Sequence, residues 1–116
     1  MDATIYTMVR AADWRQAEAD GEYRGSADDR RDGFLHFSAA AQLRASAAKH
    51  RAGEADLLLV AVEAAALGAA LRWEPAGTLP GLFPHLHGTL PLAAVAGVAP
   101  LPLGPDGLHH FPPEIP

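Results

Sequence analysis

A chain of 116 residues holds one hydrophobic core and is too short for two ordinary domains. Apolar residues make up 49 % and charged residues 20 %, a balance that excludes a disordered chain. The net charge of −5 argues against nucleic-acid binding by phosphate neutralisation, and the absence of cysteine excludes disulfides, thiolate metal sites and sulfur redox chemistry.

The start, Met1 to Thr4, lacks the basic and apolar pattern of a secretory signal. No window reaches the ~18 apolar residues that a membrane helix needs. The expectation is a cytoplasmic protein with no membrane contact. Thr4 to Val9 is rich in β-branched and aromatic types and reads as the first strand. Asp13 is a candidate N-cap for a helix from Trp14 to Ala19, stopped at Gly21, with Trp14 and Ala17 on one face. Glu22 to Asp32 is polar and turn-forming and reads as an irregular connection. Its basic cluster Arg24, Arg30 and Arg31 is interleaved with Asp28, Asp29 and Asp32, which cancel most of its field.

Phe34 to Phe37 reads as a short strand, and Ser38 as the cap of a helix from Ala39 to Arg51 that buries Leu43 and Ala47. Asp56 to Val62 is a continuous apolar run, as expected for a central strand buried on both faces. Ala64 to Ala69, broken by Gly68, predicts a short turn or a single helical turn, and Leu71 to Glu74 another short strand. The prolines and glycines from Pro75 to Pro84 predict an irregular loop. Leu92 to Val95 predicts a helical turn, and Val95 to Leu103 a last strand that Pro100 and Pro102 confine to an edge or a bulge. The domain then spans residues 1–103. Residues 104–116 form a proline-rich tail, extended or disordered, with His109 and His110 solvated.

Two spots carry candidate chemistry. Residues two apart on a strand share a face, so His36 and Ser38 make a small polar patch in an apolar run. His85 and His87 repeat that spacing just before Gly88. His36 reads as a donor to a ribose hydroxyl or phosphate, or as a core histidine bonded to a backbone carbonyl. With His85 and His87 it offers three nitrogens to a divalent metal, but no carboxylate follows where such a site would need one, so no metal is assigned. No glycine-rich phosphate loop and no Gly-x-Ser-x-Gly elbow occurs.

The order Ile5-Tyr6, Trp14, Gly21-Glu22-Tyr23, Gly33-Phe34-Leu35-His36-Phe37-Ser38, Arg72-Trp73-Glu74 and Phe83-Pro84-His85-Leu86-His87-Gly88 resembles the bacterial and plant "domain of unknown function 952" family, over Ile5 to Leu103. That family carries no assigned activity. The resemblance implies an α+β fold similar to the mono-ADP-ribosyltransferases, with a split mixed or antiparallel sheet, short helices and a cleft for nicotinamide dinucleotide (NAD). NAD is then a candidate substrate and ADP-ribosyl transfer a candidate reaction. A non-catalytic ligand-binding or interaction module with the same fold is the alternative, and a metal-dependent enzyme using the three histidines is a further one.

Carried over by element order, the first-strand position falls near Thr7, which is neither the histidine nor the arginine of active transferases. Glu74 is the late carboxylate, a candidate catalytic residue beside His36 that would stabilise a ribose gaining positive charge. Ser38, His85 and His87 are candidate ligand contacts, and Trp73 can stack on a planar ring or pack in the core. Tyr23 and Arg24 are candidates for a lid, with the Arg24 fork suited to a phosphate or paired on the surface.

Overall fold

The computed structural model describes residues 2–116. Its strands are β1 (Thr4–Arg10), β2 (Glu22–Tyr23), β3 (Leu35–His36), β4 (Leu57–Glu63), β5 (Leu71–Ala76), β6 (Leu79–Leu86), β7 (Leu90–Pro91) and β8 (Val95–Leu101). Its α-helices are α1 (Ala11–Asp20), α2 (Ala27–Asp32) and α3 (Leu43–His50), with 3-10 turns at Ala40–Gln42, Ala64–Ala70 and Leu92–Ala94. The fold is α+β with antiparallel sheets and few, short helices. No helix among the described residues is long and apolar enough to cross a membrane.

One sheet runs β1-β4-β8 and another β3-β6-β5, while β2 and β7 form a small ribbon. The apolar run at Leu57–Glu63 takes the centre of the first sheet, as its hydrophobicity predicts, and the proline-bearing β8 takes an edge. The two larger sheets meet at one residue. Phe37 donates its N–H to the Pro84 carbonyl at 3.0 Å, but proline has no N–H to return, so the ladder between β3 and β6 ends there. One residue on, Ser38 exchanges both backbone bonds with Tyr6 of β1, each 2.8 Å. This hand-over splits the architecture and leaves an opening between β1 and β6.

Several local expectations are corrected. Arg10, not Asp13, is the N-cap residue of α1; Asp13 lies in the first turn, where a carboxylate suits the helix dipole. Gly21 ends α1 in the left-handed region (φ 83°), as predicted. Glu22 to Asp32 is not irregular throughout, because it holds β2 and the capped helix α2. Ser38 caps nothing: Ala39 precedes the helical turn, and the Gln42 side chain accepts the Ala39 N–H at 2.9 Å. Pro75 to Pro84 is mostly strand, since β5 continues to Ala76 and turns back as β6 through a register shift at Pro75 and Ala76.

The tail is packed and His109 is not solvated. Ile115 is buried beside Leu43, Leu57 and Leu101 in a second apolar cluster, and buried His109 contacts the Glu54 carbonyl through Nε2 at 2.7 Å. Arg44 binds the Pro116 carbonyl at 2.7 Å and lies over the Phe111 ring. The first cluster centres on Ile5, Trp14, Phe37, Val60 and Leu86, on the opposite side of β3 and β6 from the histidines.

Candidate functional site

The strand register puts the chemistry on one face. His36 pairs with His85, and Arg72 pairs with His85 from the other side, so these three side chains project together; Leu35, Leu86 and Leu71 project to the core face. Glu74 and Phe83 follow on the polar face at the period-two spacing.

His36 is gripped by α2. Ser26 and Asp29 form a reciprocal capping box: the Ser26 N–H donates to Asp29 Oδ2 at 2.8 Å and the Asp29 N–H to Ser26 Oγ at 3.2 Å. Gly33 ends the helix at φ 86°, a conformation that returns the chain alongside its own helix. Buried Asp29 then accepts both the His36 backbone N–H at 3.1 Å and ring Nδ1 at 2.5 Å on one oxygen. Asp32 Oδ2 lies 3.0 Å from ring Nε2. A neutral imidazole has one N–H, whereas two carboxylates facing both nitrogens require two, so the imidazolium is favoured. The His36 pKa is raised, first by the Asp29 hydrogen bond, against the opposing effect of burial. Burial pushes the Asp29 carboxyl up, yet the bonds from His36 and Ser26 outweigh it and hold the pKa below the usual value.

His85 is the converse. Its side chain is 3 % exposed, stacked on Phe34 with ring centroids 4.1 Å apart, and 5.6 Å from the His36 ring. Desolvation lowers its pKa, the nearby His36 charge adds to this, and the Glu74 bond opposes it. Glu74 Oε1 receives His85 Nδ1 at 3.0 Å and His87 Nε2 at 2.7 Å, and these two bonds lower the Glu74 pKa. A neutral His85 that donates from Nδ1 to an ionised carboxylate keeps its lone pair on Nε2. The two environments therefore push the pair apart, His36 toward its charged form and His85 toward its neutral one.

Both histidines line a cleft of about 130 Å³ at the opening between the sheets. Thr7, Ser38, Ser46 and Phe83 also line it, and Thr7 Oγ1 donates to the His36 carbonyl at 3.0 Å. Of the residues expected from sequence, His36, Ser38 and His85 meet here. Glu74 and His87 stand behind His85, outside the cleft lining. Trp73 is half-buried against the core. Tyr23 is buried against Trp14, which pushes its hydroxyl pKa up, and Arg24 pairs with Glu22 and Asp20 at the surface. Tyr23 and Arg24 border a different depression, between α1 and α2, so they form no lid over His36.

Among the described residues no group of three or more histidine, aspartate or glutamate side chains is placed to hold a metal ion. The trio His36, His85 and His87 is instead divided between carboxylates. Asp29 and Phe34 are the site residues that sequence reading missed. The signal for Asp29 was the spacing Ser26-x-x-Asp29 ahead of Gly33, a helix start and stop that sets a carboxylate next to the following strand.

A family model described as "Protein of unknown function (DUF952)" matches residues 8–98. The X-ray structure of protein CC0527 from Caulobacter crescentus is similar, with 43% identity, a TM-score of 0.86, and coverage of 92% of this chain and 93% of that one. The solution NMR structure of CC0527 has 43% identity and a TM-score of 0.80, covering 92% of this chain and 91% of that one. No curated protein matches the chain.

Proposed function

From the premise that the chain belongs to the DUF952 family of proteins of unknown function, we propose that the cleft binds a small nucleotide-like ligand and that His36 and His85 serve it as an acid and base pair. One observation carries this reading. Two histidines in register on neighbouring strands, with ring centroids 5.6 Å apart, are shifted in opposite directions, His36 upward by its Asp29 bond and His85 downward by burial. Pairs of titratable groups pushed apart in this way mark acid and base assignments. In this reading the neutral His85 takes a proton at Nε2, and the His36 imidazolium holds or supplies one across the cleft.

The finer reading of the fold as ADP-ribosyltransferase-like rests on the motif resemblance and on the convergence of the first strand, a middle strand and a late strand at one cleft. It nominates nicotinamide dinucleotide. The cleft volume decides how much of that ligand fits: about 130 Å³ is below the roughly 300 Å³ at which drug-sized pockets begin, so it takes one ring and not a whole dinucleotide. Glu74 is then a positioning residue that fixes the His85 tautomer, since its oxygen is engaged by two imidazoles and it stands outside the cleft.

A non-catalytic binding module is favoured by a different observation, the engagement of both His36 nitrogens by carboxylates. The two readings share the cleft and differ in turnover. The test is a thermal-shift titration with nicotinamide dinucleotide, ADP-ribose and adenine nucleotides on the wild type, His36→Ala and His85→Ala, followed by product analysis. A ligand at 100 times its dissociation constant adds about 2.7 kcal/mol, a shift of several degrees. A shift in the wild type that both variants lose supports the site. No shift with any ligand, or one that both variants keep, removes it.

A further inference from the structure

We infer that the cleft recognises an uncharged, hydroxyl-bearing ring and leaves any phosphate of its ligand in solvent. The inference rests on the ligand cleft proposed above and narrows what it takes. Charge pairing carries it.

Among the described residues, the cations that line the cleft are already matched by anions. Arg51 is forked onto Glu54 at 3.2 and 3.0 Å and also binds the Met8 carbonyl at 3.0 Å. Arg31 pairs with Asp32 at 3.1 Å and Asp28 at 3.2 Å. His36 lies between Asp29 and Asp32. A phosphate entering here would have to break one of these pairs and would face three aspartates on the same wall. His50, also on the wall, is held toward its neutral form by burial and by the neighbouring Lys49 charge.

The remaining lining suits a sugar. Asp32, at the rim, is a partly exposed acceptor for a ring hydroxyl. The Ser46 and Tyr6 hydroxyls can donate or accept, and burial raises the Tyr6 pKa, which keeps the phenol neutral. Phe83 supplies an apolar surface for the C–H side of the ring.

The experiment compares adenosine, adenosine 5′-monophosphate, ribose and inorganic phosphate by calorimetry at low and high salt, on the wild type and on Arg31→Gln. Arg31 is chosen because it is the most exposed of the three matched cations. Adenosine is expected to bind within about threefold of its monophosphate, with little change on adding salt and none in Arg31→Gln, while inorganic phosphate does not bind. A phosphate held by a guanidinium would add roughly tenfold or more and decline with salt. Tighter binding of the monophosphate by that margin, or binding of phosphate alone, would overturn the inference and leave the cleft standing as a ligand site. Binding by none of the probes would overturn both.

Discussion

Asp29 Oδ1 lies 2.5 Å from His36 Nδ1 and also receives the His36 backbone N–H at 3.1 Å. One carboxylate oxygen thus fixes both the ring and the main chain of a strand residue, while its second oxygen closes the capping box of α2. Helix start, strand position and imidazole charge depend on the same side chain.

Replacing Asp29 with alanine should therefore do more than remove a cap. A lost cap costs about 1 kcal/mol and a lost charge-assisted bond about 1.5–3 kcal/mol, so a total of about 2.5–4 kcal/mol is expected. Urea unfolding measures it. The His36 pKa should fall in the same variant, since its largest raising cause is gone; a drop in stability with an unchanged His36 titration would separate the two roles.

Stability should peak near the ordinary imidazole value of 6.5. The raised His36 pKa means that the folded state binds the extra proton, so its contribution is complete below 6.5 and is lost as pH rises through the folded pKa. The lowered His85 pKa has the opposite sign: the unfolded state binds the proton more readily, so stability is lost as pH falls from 6.5 through the folded pKa. Unfolding free energies across pH 5 to 8 should fall on both sides of about 6.5. A monotonic curve through that interval would show that one of the two shifts is absent.

Glu74→Gln should release the His85 tautomer. The amide oxygen is a weaker acceptor than the carboxylate that now takes both Nδ1 of His85 and Nε2 of His87. Nitrogen chemical shifts should report a single Nδ1–H form of His85 in the wild type and a mixture in the variant. Any turnover found for the wild type should fall in kcat with its pH profile displaced, as expected of a positioning residue. A pure loss of stability with the tautomer intact would remove that role.

Ile115→Ala tests the packing of the C-terminal segment. The side chain is 3 % exposed among Leu43, Leu57 and Leu101, and such truncations cost about 2–5 kcal/mol. The melting temperature should drop by about 10 °C or more. A change within a degree or two would mean that the segment does not belong to the core.

The β-branched and apolar runs at β1 and β4 were legible from their composition, and Gly21 as a helix stop whose positive φ suits glycine; Gly33 ends α2 in the same way but was hidden because its helix was read as an irregular connection. Pro75 to Pro84 was misread because local proline content overrode pattern; paired with β5, the segment tolerates proline where β3 stops and its missing N–H has no partner to lose. The tail was misread for a similar reason, since a polar, proline-rich stretch gives no local sign that Ile115 completes a distant cluster. His36 was legible as a polar residue in an apolar strand, and His85 by its alternate spacing with His87 ahead of Gly88. Their opposite pKa shifts were not, because the Asp29 carboxylate that raises His36 lies seven residues away and the burial that lowers His85 arises only when the strands pair.

The most direct measurement is a titration of His36 and His85 by nitrogen-detected NMR, assigned with His36→Ala and His85→Ala. The account predicts that His36 titrates above 6.5 and His85 below it, with the His85 proton on Nδ1. Two histidines that titrate together near 6.5, or in the reverse order, would contradict the acid and base assignment on which the proposed site stands.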